Sequence, residues 1–130
     1  MARRLTLLTV AAFAAACSDA TGLGRFESVY HIVGFSATGD TAFTGSLLLV
    51  AQGGDSVRGT ADFSSVYGAW SGWGVVTGDT LTLSLAPARI ADIGRGFTGT
   101  LTGSEIVGTW VDQGFTPQPP PSGPFTAHRS

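Results

Sequence analysis

The sequence contains no lysine, no asparagine and only one cysteine, Cys17, among its 130 residues. Without lysine, the chain has no Schiff-base residue and no P-loop lysine. Without asparagine, it has no acceptor for N-glycosylation. With a single cysteine, no disulfide can form within the chain. These absences exclude several classes of covalent, nucleotide-dependent and disulfide-stabilised proteins.

Groups that bind metals or act as general bases are also few. The only histidines are His31 and His128, and two histidines without cysteine or a nearby acidic cluster make a poor zinc site. Ser71 lacks the preceding glycine and the following helix of a nucleophile elbow. Residues 94–99 have the glycine spacing of a dinucleotide-binding loop, but a strand and a turn follow instead of a helix. We therefore predict a non-catalytic protein without metal or cofactor.

The first 16 residues have the layout of a secretory signal. Arg3 and Arg4 precede an apolar stretch over residues 5–13, and small residues follow at 14–16. The apolar stretch is shorter than the roughly 20 residues that span a bilayer. The sequence therefore predicts a signal peptide over residues 1–16.

The junction at residues 14–17, Ala-Ala-Ala-Cys, resembles the bacterial lipobox. The resemblance implies that Cys17 is acylated by fatty acids such as palmitate and becomes the new N-terminus. The alternative is that Cys17 is an ordinary residue near a Sec cleavage site, although its being the sole cysteine favours acylation. By resemblance to Gram-negative lipoproteins, Ser18 permits sorting to the outer membrane. We thus expect a cell-envelope protein with a membrane anchor.

The mature chain is small and acidic. Removal of the signal leaves 114 residues, in which five arginines face nine carboxylates, so the net charge is −4. This charge disfavours nucleic acid as a partner. Residues 17–24 are small and mostly polar after the lipid position, which predicts a flexible tether. Residues 25–130 are predicted to form one domain.

Short alternating segments recur along this domain and are separated by glycine-containing pairs that favour tight turns. In one of them Leu81, Leu83 and Leu85 point one way, and threonine and serine point the other. The pattern predicts an all-β chain with eight antiparallel strands in an up-and-down meander. We place the strands over residues 25–35, 41–51, 55–64, 69–77, 79–86, 96–102, 104–112 and 123–129.

Four of these segments carry a glycine at an inward position between two apolar residues: Gly45, Gly59, Gly99 and Gly108. An inward glycine allows a strand to coil sharply, which favours a closed barrel; a β-sandwich is the alternative. Residues 43–47 also resemble residues 97–101, so the domain is consistent with two similar halves.

Residues 97–101, 106–110 and 123–129 resemble segments of small bacterial lipoproteins with lipocalin-like or avidin-like barrels. The resemblance implies barrel architecture and does not specify an activity. Gly108 and Trp110 fall on the seventh strand, whereas lipocalins carry their Gly-x-Trp on the first. Arg129 is expected to pack over an aromatic ring at the closed end of the barrel.

The aromatic residues Tyr67, Trp70 and Trp73 are interleaved with glycine, and we add Trp110 to them as candidate ligand-binding residues. They are expected either to form an aromatic wall at a barrel mouth, which suits apolar ligands, or to fill the interior. The proline-rich residues 116–124 are expected to form a stiff loop that either connects strands or docks onto a partner.

Two functions are consistent with these features. The first is a lipid-anchored barrel that binds a small apolar or amphipathic ligand. The second is a packed barrel that acts as a structural or protein-interaction module of the envelope. A mouth lined by Trp70 and Trp73 favours the first. An interior filled by residues such as Phe97 and Trp110, together with Leu81 and Leu83, favours the second.

Overall fold

The computed structural model describes residues 23–64, 67–88, 92–114 and 120–130. These residues form eight antiparallel strands in which each strand pairs with the next and the last pairs with the first, so the sheet is a closed barrel. The strands are β1 (Ser28–Phe35), β2 (Thr41–Gly53), β3 (Ser56–Asp62), β4 (Ala69–Thr77), β5 (Thr80–Pro87), β6 (Gly94–Thr102), β7 (Glu105–Gln113) and β8 (Ser122–Arg129).

The predicted closed meander is confirmed, and the sandwich alternative is excluded. Each predicted segment overlaps one strand, and no boundary differs by more than three residues. The first and last strands pair from Tyr30 opposite Arg129 to Gly34 opposite Phe125. Closure leaves no unpaired sheet edge, because every strand has two hydrogen-bonded neighbours.

Alternation along the strands separates an apolar interior from a polar outer wall. On β5, Leu81, Leu83 and Leu85 are buried, whereas Thr82 and Ser84 are exposed. The same period of two operates on the other strands, since side chains point to opposite faces in turn. The buried apolar residues of the strands, from β1 to β8, include Tyr30, Ile32, Leu47, Leu49, Val57, Ala61, Trp70, Val76, Phe97, Leu101, Ile106, Trp110, Phe125 and Ala127.

Two of the inward glycines explain how the barrel closes tightly. A Cβ atom on Gly108 would lie 1.9 Å from the carbonyl oxygen of Thr98, so the two backbones approach too closely for any side chain. A Cβ atom on Gly99 would lie 2.8 Å from the ring of Phe125, which occupies the space that the glycine leaves. Both positions fit the predicted role of glycine in a coiled, closed sheet.

The similarity between the two halves of the domain has a structural counterpart. Phe43 on β2 and Phe97 on β6 occupy equivalent places in the two similar segments. Their rings meet inside the barrel in an edge-to-face contact with centroids 6.1 Å apart. Strands four apart face each other across an eight-stranded barrel, so matching residues of the two halves share one core.

One end of the barrel, which we call the closed end, has tight turns at residues 54–55, 78–79 and 103–104. Gly53, Gly54, Gly78 and Gly103 have positive φ there, which glycine adopts without steric cost. A 3₁₀ helix, Leu23–Arg25, covers this end. At the other end, which we call the mouth, β1, β3, β5 and β7 end at Phe35, Asp62, Pro87 and Gln113.

The segment from Leu23 to Phe26, which we call the closed-end cover, corrects the predicted boundary between the tether and the domain. Leu23 was expected in the flexible tether, but its side chain is only 3% exposed because it packs with Phe26 in the core. The Tyr30 hydroxyl donates a hydrogen bond to the Phe26 carbonyl oxygen at 2.8 Å and fixes the cover to β1. The folded part therefore begins before residue 25.

The predicted packing of Arg129 is confirmed. Its guanidinium carbon lies 5.9 Å from the centre of the Tyr30 ring at the closed end. Within the described residues, no helix has the length and apolar character needed to cross a membrane. The predicted signal peptide, Cys17 and residues 116–119 of the proline-rich loop lie outside the described residues.

Candidate functional site

The mouth contains a positive charge surrounded by aromatic rings. Arg95 lies on β6, two residues before Phe97, and therefore points inward. Its guanidinium carbon is within 5.5 Å of four ring centres, an arrangement that we call the aromatic cage. The distances are 4.1 Å to Phe43, 5.0 Å to Phe63, 5.1 Å to Trp70 and 5.5 Å to Trp110.

Asp112 neutralises the charge of Arg95. The two residues are direct cross-strand partners on β6 and β7. The Nε atom of Arg95 donates to Oδ1 of Asp112 at 2.6 Å, and Nη2 donates to Oδ2 at 3.2 Å. The side chains are only 13% and 9% exposed. In this bidentate geometry the two hydrogen bonds offset the free-energy cost of removing both charged groups from water.

The indole of Trp110 is fixed by a hydrogen bond across the seam between the last and first strands. Its Nε1 atom donates to the carbonyl oxygen of Phe35 on β1 at 2.9 Å. Gly123 on β8 pairs with Trp110, and a Cβ atom there would lie 1.9 Å from the same carbonyl oxygen. The absence of a side chain at Gly123 therefore leaves room for the indole to reach β1.

Three of the four predicted ligand-binding residues lie at the mouth. Trp70 and Trp110 are in the aromatic cage, and the Tyr67 ring contacts Trp70 edge-to-face with centroids 6.3 Å apart. Trp70 is buried and Tyr67 is partly buried at the rim. These residues are brought together as expected, although their part in ligand binding remains a prediction.

Trp73 is a correction to the predicted aromatic wall. Its side chain is 56% exposed on the outer face of β4, where the Arg58 guanidinium carbon lies 5.6 Å from its ring centre. Residues three apart on a strand face opposite ways, so Trp70 and Trp73 cannot line the same mouth. The alternation of side chains along β4 is sufficient to place Trp70 inside the barrel and Trp73 outside it.

Sequence reasoning missed four members of this site: Phe43, Phe63, Arg95 and Asp112. A signal was present, because Arg95 is two residues from Phe97 and Asp112 is two residues from Trp110. Each charged residue is therefore in register with the inward face of its strand. An inward charge on each of two adjacent strands predicts an ion pair in the interior.

One nitrogen of Arg95 is still available. In the described part of the chain, no atom accepts a hydrogen bond from Nη1, and no buried polar side-chain atom lacks a partner. Nη1 therefore reaches the surface of the mouth. Three exposed carboxylates, Asp40, Asp62 and Asp92, lie in or beside the connections at this end. The mouth thus offers a hydrogen-bond donor between rings, inside an acidic rim.

Below the mouth, side chains fill the interior. Phe97, Leu81 and Leu83 are buried there, and Trp110 of the aromatic cage above them is buried as well. The Phe97 ring packs edge-to-face on Phe125, with centroids 5.2 Å apart. A ligand would accordingly contact the mouth rather than enter a deep cavity.

Both histidines lie away from this site. His31 and His128 are cross-strand partners on the outer wall, and the His128 ring contacts the Glu105 carboxylate at the closed end. Among residues 23–64, 67–88, 92–114 and 120–130, no group of three or more histidine, cysteine or acidic residues is arranged to hold a metal ion.

Comparison with known proteins identifies the fold alone. No protein-family model matches the chain, and no curated protein matches it. Several solved structures share the barrel, and three of them illustrate the likeness. The redesigned beta barrel mFAP1, bound to DFHBI, has 14% identity and a TM-score of 0.65, and the match covers 84% of this chain and 99% of that one.

The other two structures have similar statistics. The redesigned beta barrel b11L5F_LGL has 12% identity and a TM-score of 0.67, with 85% and 96% of the two chains covered. EF1p2_mFAP2b, bound to DFHBI, has 14% identity and a TM-score of 0.63, with 82% and 95% covered. At these identities the likeness establishes an eight-stranded up-and-down barrel.

Proposed function

We propose that this protein is a lipid-anchored lipoprotein of the bacterial cell envelope, sorted to the outer membrane. We further propose that its barrel binds a small apolar or amphipathic ligand without catalysing a reaction. The signal-like residues 1–16 and the sole cysteine, Cys17, support the anchor.

The observation that carries the binding proposal is the accessible Nη1 atom of Arg95 within the aromatic cage. Rings favour a flat apolar body, and Nη1 offers a hydrogen bond to an acceptor oxygen on that body. The ion pair with Asp112 leaves the mouth locally neutral at the aromatic cage, and the acidic rim repels anions. The ligand class is therefore neutral, planar and largely apolar, with one hydrogen-bond acceptor.

Two further observations support the proposal. Designed barrels of the same architecture are bound to DFHBI, so this fold can hold a small molecule. The placement of both histidines on the outer wall, away from Arg95, supports a binding role rather than acid–base catalysis.

Native mass spectrometry tests the binding proposal. The chain of residues 18–130, exported in a bacterial host and purified gently, is expected to carry a discrete extra mass that denaturation removes. Tyr67→Leu removes a ring at the mouth, and the matched Trp73→Leu removes a ring on the outer wall. We expect the extra mass to be lost with Tyr67→Leu and kept with Trp73→Leu. Equal retention in both variants, or no extra mass in the parent chain, contradicts binding at the mouth.

Metabolic labelling with a clickable fatty acid tests the anchor separately. The full chain is expected to take up the label and fractionate with membranes. Cys17→Ala is expected to lose both properties, because Cys17 is the residue that carries the lipid. A Cys17→Ala chain that remains labelled and membrane-bound contradicts the anchor proposal.

The filled interior favours the second candidate, a packed barrel that serves as a structural or protein-interaction module of the envelope. Phe97 and Trp110 occupy space that a lipocalin-type ligand would need. Crosslinking in intact cells distinguishes the candidates. A clean apoprotein mass together with one reproducible crosslinked envelope protein would favour the module.

A further inference from the structure

The outer wall of β1–β4 carries exposed apolar side chains that form a continuous band. Its members are Val29, Leu48, Val50, Trp73 and Val75, and the four most exposed are 42–56% accessible. Val29 pairs directly with Leu48 on the next strand. Val50 lies two residues beyond Leu48, on the same face. We call this surface the apolar band.

Arg58 joins the two parts of the apolar band. It is the cross-strand partner of Val50 on one side and of Trp73 on the other. Its guanidinium lies over the Trp73 ring, which leaves its aliphatic stem along the band. Val75 follows Trp73 on the same face and pairs with Ser56. The band therefore has apolar residues on β1, β2 and β4, and on β3 it is bridged by the Arg58 side chain alone.

The charges around the apolar band are few. Asp62, at the mouth end, is the only carboxylate within β1–β4. Asp55 is exposed in the closed-end turn, and Glu27 accepts a hydrogen bond from the Ala51 amide at that end. His31 is exposed beside the band on β1. A largely apolar partner surface thus fits this wall.

The opposite wall has a different character. The outward residues of β5 and β6 include Thr80, Thr82, Ser84, Thr98, Thr100 and Thr102. Hydroxyl-bearing side chains of this kind remain hydrated. Val107 on β7 is an exception on this wall, because its side chain is 45% exposed. The exposed apolar side chains of the outer face are thus concentrated on the β1–β4 wall without being confined to it.

The predicted tether limits the distance between this wall and a membrane. Leu23 is the sixth residue after Cys17, and an extended chain covers at most about 3.6 Å per residue, or roughly 22 Å in total. Leu23 lies at the closed end, and Val29 begins the band near the start of β1. A lipid on Cys17 holds the closed end, and with it the band, close to the bilayer surface.

We propose that the apolar band lies in the interfacial region of the bilayer that carries the anchor. This inference rests on the proposed lipid anchor. Trp73 and the aliphatic side chains enter the headgroup boundary, and the Arg58 guanidinium extends towards the lipid phosphates. The barrel lies on its β1–β4 side, so the mouth opens parallel to the membrane and the threonine-rich wall faces water.

The test does not depend on natural acylation. The chain of residues 17–130 is coupled through Cys17 to a maleimide phospholipid in phosphatidylcholine vesicles, with or without bromine on the acyl chains. Bromine quenches nearby tryptophan, and Trp70 and Trp110 are buried in the barrel. We expect bromine to cause a loss of emission in the parent chain that Trp73→Phe abolishes.

A matched control moves the exposed tryptophan from the β1–β4 wall to the threonine-rich wall of β5 and β6. In the Trp73→Phe background, Thr100→Trp places tryptophan at an exposed position of β6 and should show no bromine-dependent loss. Equal quenching at both positions, or none at Trp73, overturns the inference. A lipid-free dimer that Trp73→Ser dissociates also overturns it, because a second copy then covers the band. Fatty-acid labelling of Cys17 reports independently on the anchor itself.

Discussion

The closed end and the mouth of this barrel are built from the same alternating strands but filled with different chemistry. The closed end is packed with aliphatic residues such as Leu49 and Val57, beneath the cover of Leu23 and Phe26. The mouth holds rings around the Arg95–Asp112 pair. The alternation of side chains along each strand determines which residues point into the interior. The type of each inward residue then determines whether it needs apolar packing or a partner of opposite charge.

The two ends therefore depend on forces with different directionality. Aliphatic packing is non-directional and scales with the area removed from water. The ion pair depends on the donor and acceptor geometry of two particular side chains. We expect the mouth to tolerate substitution at these two positions less well than most of the closed end.

The largest effect is expected from Asp112→Ala. It leaves the Arg95 charge buried among rings without its partner, which should lower the free energy of unfolding by about 3–5 kcal/mol. Asp79→Ala is the matched control at the closed end, where Asp79 pairs with Arg25 and both side chains are at least half exposed. That loss should stay below about 1 kcal/mol. Urea denaturation followed by circular dichroism measures both.

A double variant sharpens the same test. Replacing both members, Arg95→Leu with Asp112→Leu, removes the buried charges together and should recover most of the stability lost in Asp112→Ala. If the double variant is less stable than Asp112→Ala, the rings need the guanidinium itself, and the description of Arg95 as a neutralised charge is wrong.

A smaller effect is expected from Leu49→Ala at the closed end. Leu49 is buried, so truncation leaves a cavity and should cost about 3 kcal/mol. Leu48→Ala, one residue away on the outer wall, should change stability by only about 0.5 kcal/mol. Thermal unfolding of the two variants side by side measures the difference. Similar losses for both would mean that the inward and outward faces of β2 are wrongly assigned.

The smallest effect is expected from Tyr30→Phe. The substitution removes one hydroxyl, whose hydrogen bond to the Phe26 carbonyl oxygen holds the closed-end cover, and keeps the ring. We expect a loss of about 1 kcal/mol. Hydrogen exchange should show faster exchange of the backbone around Leu23, with the mouth unchanged. Faster exchange at Trp110 instead would show that the two ends are coupled.

The fold could be predicted from the sequence because its determinants are local. The leucines of β5 give the period of two, and glycine-containing turns limit each strand. Inward glycines such as Gly108 indicated the closure of the sheet. Leu23 was misassigned because the small polar residues before it outweighed one apolar side chain whose partners lie elsewhere in the chain.

The site was harder to predict because it depends on long-range register. Tyr67 and Trp70 are near in sequence and were found together, but Phe43 and Arg95 meet only through the barrel interior. Trp73 was wrongly grouped with Trp70 because sequence proximity was given more weight than strand parity. Arg95 and Asp112 become recognisable once β6 and β7 are aligned.

The seam between β1 and β8 has a consequence for the order of the chain. Five consecutive residue pairs join β1 and β8 without a shift in register, although no turn connects the two strands. Leu23 and Ser130 both lie at the closed end, where the Ser130 amide donates a hydrogen bond to the Val29 carbonyl oxygen. The same eight strand pairs could therefore form in a chain whose strands are connected in a different order. A circular permutant that joins residues 130 and 23 by a short linker and opens at residues 103–104 retains all eight strand pairs.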